Sequence, residues 1–143
     1  VLDLFNREVV GWSLKPRMTS DIVIDALAMA WFRRKPAPGL IHHSDRGSQY
    51  TSHEFQRLLQ FYHVKASMSG TGNCYDNAVV ESFFSSLKME LIYQTVYFNR
   101  EEATTDIFFY IEGFYNRQRV HSALGYVSPQ AYEAIYQQQA LAI

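Results

Sequence analysis

The sequence predicts a single α/β domain. Short β-rich stretches interleave with segments of helical periodicity, and the composition, 48% hydrophobic and 19% charged, is that of a globular chain. At 143 residues the chain is long enough for one sizeable core and short for two.

The elements follow in order. Residues 1 to 5 and Glu8 to Leu14 are β-rich and flank the polar pair Asn6-Arg7, which predicts a β-hairpin closed before Pro16. Thr19, Ser20 and Asp21 offer N-caps for a helix in which Val23, Leu27, Ala30 and Trp31 recur at helical spacing. It ends near Arg33-Arg34-Lys35, where cations suit the negative end of the helix, before Pro36 and Pro38. Gly39 to His42 reads as a short strand. Thr51 or Ser52 opens a helix carrying Phe55, Leu58, Leu59 and Tyr62, and Val64 to Ser67 reads as another short strand. Met68 to Asn77 is a polar, glycine-containing loop. Asp76 or Asn77 caps a helix lined by Val80, Phe83 or Phe84, Leu87 and Leu91. A further helix covers roughly Arg100 to Asn116, and a helical turn or two closes the chain around Ala131 to Tyr136.

Several function classes are disfavoured. Thirteen basic and fourteen acidic residues leave a net charge of −1, which argues against a partner held by bulk positive charge and makes any nucleic-acid contact local. The single cysteine, Cys74, excludes an internal disulfide or a multi-cysteine zinc site and fits a reducing, intracellular compartment. Apolar runs such as Ile22 to Trp31 are interrupted by Asp25 and fall short of a membrane span, and no signal peptide is expected.

Asp45 directly follows a predicted strand, where open α/β sheets bind ligands, although the same residue also serves as a turn or cap. Glu81 lies one turn into a helix, in line with Ser85 and Lys88; such a stripe is ordinarily a solvated face. Thirty-five residues separate the two acids, and together they suit a hard divalent ion that keeps open positions for water and phosphate. His42 and His43 invite a zinc reading, but adjacent strand residues point to opposite faces and cannot easily share one ion. Trp12 and Trp31 read as core.

Longer motifs extend this reading. The segment His42-His43-Ser44-Asp45-Arg46-Gly47-Ser48-Gln49-Tyr50-Thr51-Ser52 is one. Ser67-Met68-Ser69 with Gly72-Asn73-Cys74-Tyr75-Asp76-Asn77-Ala78-Val79-Val80-Glu81-Ser82-Phe83-Phe84 is a second. Val1 to Arg7 and Tyr115 to Pro129 add two more. Together they resemble the integrase-type core of bacterial insertion-sequence transposases, the IS-three family, second reading frame, over nearly the whole chain. The resemblance implies a ribonuclease H-like mixed sheet flanked by helices. Residues 1–143 would be the catalytic core without its first strand, and about 120–143 its C-terminal extension.

The resemblance also implies an Asp-Asp-Glu site shared with retroviral integrases, in which Asp45 and Glu81 match the second Asp and the Glu. The first Asp belongs to a Thr-Asp-Ile-Thr-Tyr type motif on a preceding strand, which this sequence lacks; Asp3 sits in the second-strand motif and is not its substitute. Mg²⁺ or Mn²⁺ is the implied cofactor, held by Asp45 and Glu81. Lys88, Arg46, Asn73, Arg117 and Arg119 are the implied DNA contacts. Gly70-Thr71-Gly72 stands where many relatives carry a basic residue.

The expected function is metal-dependent DNA strand cleavage and strand transfer in transposition. DNA ends and target are the partners, the active complex is a homo-oligomer, and the site of action is the bacterial cytoplasm. A non-catalytic DNA-binding or self-associating remnant, and a ribonuclease H-like nuclease, are the alternatives.

Overall fold

Two short parallel strands organise the first half of the chain. The computed structural model describes residues 1–70 and 77–142, and the chain divides into two compact units: Val1 with Val10–Ala78, and Leu2–Val9 with Val79–Ile143.

In the first unit, β1 (Ile41–Ser44) pairs in parallel with β2 (Lys65–Met68), setting His42 opposite Ala66 and His43 opposite Ser67. Parallel neighbours need a crossover, here the one-turn α2 (Ser48–Thr51) and α3 (His53–Phe61). Ser52 caps α3 as expected, its Oγ accepting the Phe55 N–H at 3.3 Å. Ahead of them runs α1 (Ser20–Arg34), closed by Lys35 in the left-handed region (φ 43°) with its N–H returned to the Trp31 carbonyl. Leu27, Phe55, Leu59, Tyr62 and Val64 form the core, with Val23, Ile24, Trp31, Tyr50 and Leu58 packed against it. Each such burial contributes about 1.5–3 kcal/mol before the entropic cost of ordering the side chain. Trp31 stacks on Tyr62 with ring centroids 4.5 Å apart, so it serves the core as expected. Gly11 passes so close to α1 that a Cβ there would sit 2.0 Å from the Ala26 carbonyl oxygen.

The predicted hairpin is reduced to a single antiparallel bridge, Leu2 to Val9. Asp3 is the reason. Its Oδ1 captures the Phe5 N–H at 2.9 Å and its carbonyl accepts the Arg7 N–H at 2.8 Å, which turns the chain early and leaves Arg7 at φ 66°.

In the second unit, α4 (Ala78–Glu90) buries Phe83 and Leu87, whereas Val80 and Phe84 are exposed. The predicted helix from Arg100 is present as α5 (Arg100–Phe108), capped by Asn99, and continues as a π-helical segment, Phe109–Tyr115. The wider turn sets Tyr110 and Tyr115 on one buried side. The last helix, α6 (Pro129–Leu141), is longer than expected because Ser128 caps it, Pro129 occupies its first turn and no breaker follows. Among the described residues no helix is long and apolar enough to cross a membrane.

Candidate active site

Asp45 is the first residue beyond β1 and its side chain is exposed at the carboxyl end of the parallel pair, where α/β sheets place ligands. Its Oδ1 accepts the Gly47 N–H at 2.8 Å. Oδ2 takes no hydrogen bond among the described residues, so one oxygen alone shapes the turn. Gly47 permits this fold-back, since a Cβ there would lie 2.9 Å from Oδ1. Burial, then the Asp45 charge, pushes the nearby Tyr50 phenol up from its ordinary range.

Arg46, an implied DNA contact, is tied back to the chain itself. Its Nε donates to the Ser69 carbonyl oxygen at 2.9 Å, which ties the residue after Asp45 to the residue after β2 and leaves the terminal guanidinium nitrogens uncommitted to an acid among the described residues. The two histidines separate as strand alternation requires. His42 meets the Phe55 ring edge-on at 5.4 Å, and burial drives its pKa down to about 4. His43 lies on the other side, with Nδ1 2.9 Å from Ser67 Oγ and Nε2 3.0 Å from Ser69 Oγ. Asn77, just before α4, donates from Nδ2 to the same Ser69 Oγ at 3.1 Å.

Glu81 stands in the first turn of α4, where the helix end favours an acid, and Lys88 in its last turn, where it favours a base. Both are exposed, on a face apart from buried Phe83 and Leu87. Arg117 is exposed as well. Arg119 is engaged internally: Nε lies 2.8 Å and 3.1 Å from the two Glu90 carboxylate oxygens and Nη2 2.8 Å from Oε1. The Tyr110 hydroxyl donates to Glu90 Oε2 at 2.6 Å. Burial pushes the Glu90 carboxyl up, but the hydrogen bonds from Arg119 and Tyr110 together with the Arg119 charge hold it below its usual value. Asn73, like Asp76 and Cys74, lies outside the described residues.

A hard divalent ion suits this donor chemistry, which offers carboxylate oxygens in exposed positions; water and phosphate complete such a shell. Among the described residues no group of three or more His, Cys, Asp or Glu side chains gathers to hold a metal. The Ser69 cluster was missed by sequence reasoning. Strand alternation puts His43, Ser67 and Ser69 on one face, yet only the observed register brings them together.

The fold defines the chain as an integrase-like, ribonuclease H-type core. It matches the catalytic core domain of BIV integrase with a TM-score of 0.62 at 22% identity, covering 90% of this chain and 80% of that one. The HTLV-2 integrase catalytic core domain in complex with magnesium gives 0.66 at 20% identity, covering 92% and 80%. Family models described as integrase core domain match residues 1–74 and 62–129, and the chain belongs to that family. It is 49% identical over 133 residues to transposase InsF for insertion sequence IS3A of Escherichia coli K12, covering 93% of this chain and 46% of the relative. It is 48% identical over 132 residues to the transposase for insertion sequence element IS904 of Lactococcus lactis, covering 92% and 52%. The chain thus spans about half the length of the curated relatives it matches.

Proposed function

We propose that residues 1–143 are the integrase-type core of an insertion-sequence transposase, with about 120–143 its C-terminal extension, and that this core, together with a strand bearing the first Asp, performs DNA strand cleavage and strand transfer. The observation that carries the reading is Asp45, an exposed carboxylate at the end of β1 inside a segment matched by the integrase core family. Asp45 and Glu81 would hold Mg²⁺ or Mn²⁺. When bound, such an ion supplies a Lewis acid at the phosphodiester and a more acidic attacking water or 3′-hydroxyl.

The chain's own groups do the rest. Asp45 keeps one oxygen in the Gly47 turn, which restricts the carboxylate to few orientations. Arg46 offers the guanidinium nitrogens beyond its Ser69 bond to a phosphate, and exposed Lys88 and Arg117 offset backbone charge. Asn73 is assigned to DNA contact as well. Arg119 contributes to DNA contact with its Glu90 pair in place, which leaves it fewer free donors than Arg117. Transposon ends and target DNA are the partners, a homo-oligomer is the active species, and the bacterial cytoplasm is where it meets them.

The Asp-Asp-Glu reading calls for a third carboxylate besides these two, so the assay uses a polypeptide joining this sequence to the strand that bears it. Joining of a donor 3′ end to target DNA in Mg²⁺ is the expected activity, lost in Asp45→Asn and in Glu81→Gln. Full joining by either variant refutes the assignment, and degradation without joining identifies a nuclease instead.

A further inference from the structure

Ser69 holds the chain on both sides of Asp45. Its N–H donates to the Ser44 carbonyl at 2.9 Å, and its own carbonyl accepts Arg46 Nε at 2.9 Å. The residues immediately before and after Asp45 are therefore both fixed to one residue beyond β2. The first of these bonds merely extends the parallel pairing by a rung; the second is a side-chain bond that the pairing does not require.

The Ser69 side chain adds a second layer. Its Oγ meets His43 Nε2 at 3.0 Å, Asn77 Nδ2 at 3.1 Å and the Ser44 carbonyl at 3.4 Å, while the other imidazole nitrogen is occupied by Ser67 Oγ. Ser69 is buried. Packing at a buried strand end is served equally well by an apolar residue, since a matched hydrogen bond adds only about 1 kcal/mol over its hydrated alternative. A buried hydroxyl with several polar partners instead fixes geometry, because each partner left unmatched at low dielectric is costly and the arrangement therefore has one solution.

We infer that Ser69, braced by His43 and Asn77, is a positioning residue that sets the Asp45 carboxylate for a divalent cation and the Arg46 guanidinium for the accompanying phosphate. The inference rests on the reading of Asp45 as a metal ligand and adds to it the side chains that aim it.

Mn²⁺ titrated into the 143-residue chain, and read as paramagnetic broadening of the Asp45 and Gly47 amide resonances, reports the site without any assay of catalysis. Asp45→Asn tests the underlying reading: unchanged broadening removes Asp45 as a ligand, and the inference falls with it. Where Asp45→Asn abolishes broadening, Ser69→Ala is expected to weaken Mn²⁺ binding about tenfold, the lower end of losses seen when a ligand's support is removed. Ser69→Thr, which keeps the Oγ, restores most of the affinity, and thermal melting of Ser69→Ala stays cooperative. Wild-type Mn²⁺ affinity in Ser69→Ala overturns the inference, as does an equal loss in Ser69→Thr. Should Ser69→Ala fail to fold, His43→Ala decides: a several-fold loss of affinity supports the bracing role, and wild-type affinity overturns it.

Discussion

Asn116 holds Val9 by both of its backbone groups. The carboxamide Oδ1 accepts the Val9 N–H at 2.9 Å and Nδ2 donates to the Val9 carbonyl at 3.0 Å, a side chain acting as the strand partner of a residue 107 positions away. Both residues are buried. Asn116→Leu strands the two Val9 groups, at about 1–3 kcal/mol for each unmatched polar group. Urea unfolding should show a lower midpoint at an unchanged slope; a wild-type midpoint would show that Val9 finds other partners.

His42 gives the stability a defined pH dependence. Burial lowers its pKa from 6.5 to about 4, so the folded chain keeps the ring neutral through a window in which the unfolded chain protonates it. The unfolded state then binds more protons, and stability, complete above pH 6.5, falls as the pH drops toward 4. The loss amounts to at most about 3 kcal/mol, from 1.36 kcal/mol per pKa unit. His42→Phe, placed beside Phe55, should flatten this part of the stability profile measured by denaturant titration at several pH values.

Arg117 and Arg119 should separate experimentally. Arg117→Ala leaves the melting temperature unchanged but weakens DNA binding uniformly across sequences, reducing the salt slope of the affinity by about one. Arg119→Ala abandons the Glu90 carboxylate and its Tyr110 partner, costing about 1–2 kcal/mol because the pair is only partly shielded from water. Parallel melting curves and DNA titrations at two ionic strengths distinguish the two outcomes.

Gly47→Ala places a methyl against Asp45 Oδ1 and the end of the Gln49 side chain. Both neighbours are ends of flexible side chains, so the fold yields at small cost, within about 1 kcal/mol, while the carboxylate is displaced. Strand joining by the active polypeptide should fall at least tenfold with the circular dichroism spectrum unchanged, in keeping with the sensitivity of reacting geometry to small displacements. Wild-type joining would show that the turn bond does not orient Asp45.

How much was readable follows the range of the interactions. The α3 cap at Ser52, the basic end of α1 and the inward faces of α1 and α3 depend on residues three or four apart, and each was legible along the chain. Asp45 and Glu81 were singled out by their places at a strand end and near a helix start and by their spacing, and the long motifs then matched them to a family's acidic positions. The hairpin was overread because the Asp3 carboxylate competes for the Phe5 N–H, a local alternative to pairing that periodicity does not register.

The sequence by itself determined the α/β order, the family and the acidic residues of the candidate site, because periodicity, capping and motif spacing are properties of neighbouring residues. Only the tertiary structure decided that His43 meets Ser67 and Ser69, that Arg46 closes on Ser69, that Arg119 pairs with Glu90 and that Asn116 serves Val9. Those bonds join residues 23 or more positions apart. They exist only once strand register and helix placement are set, and a donor in the sequence does not name its distant acceptor.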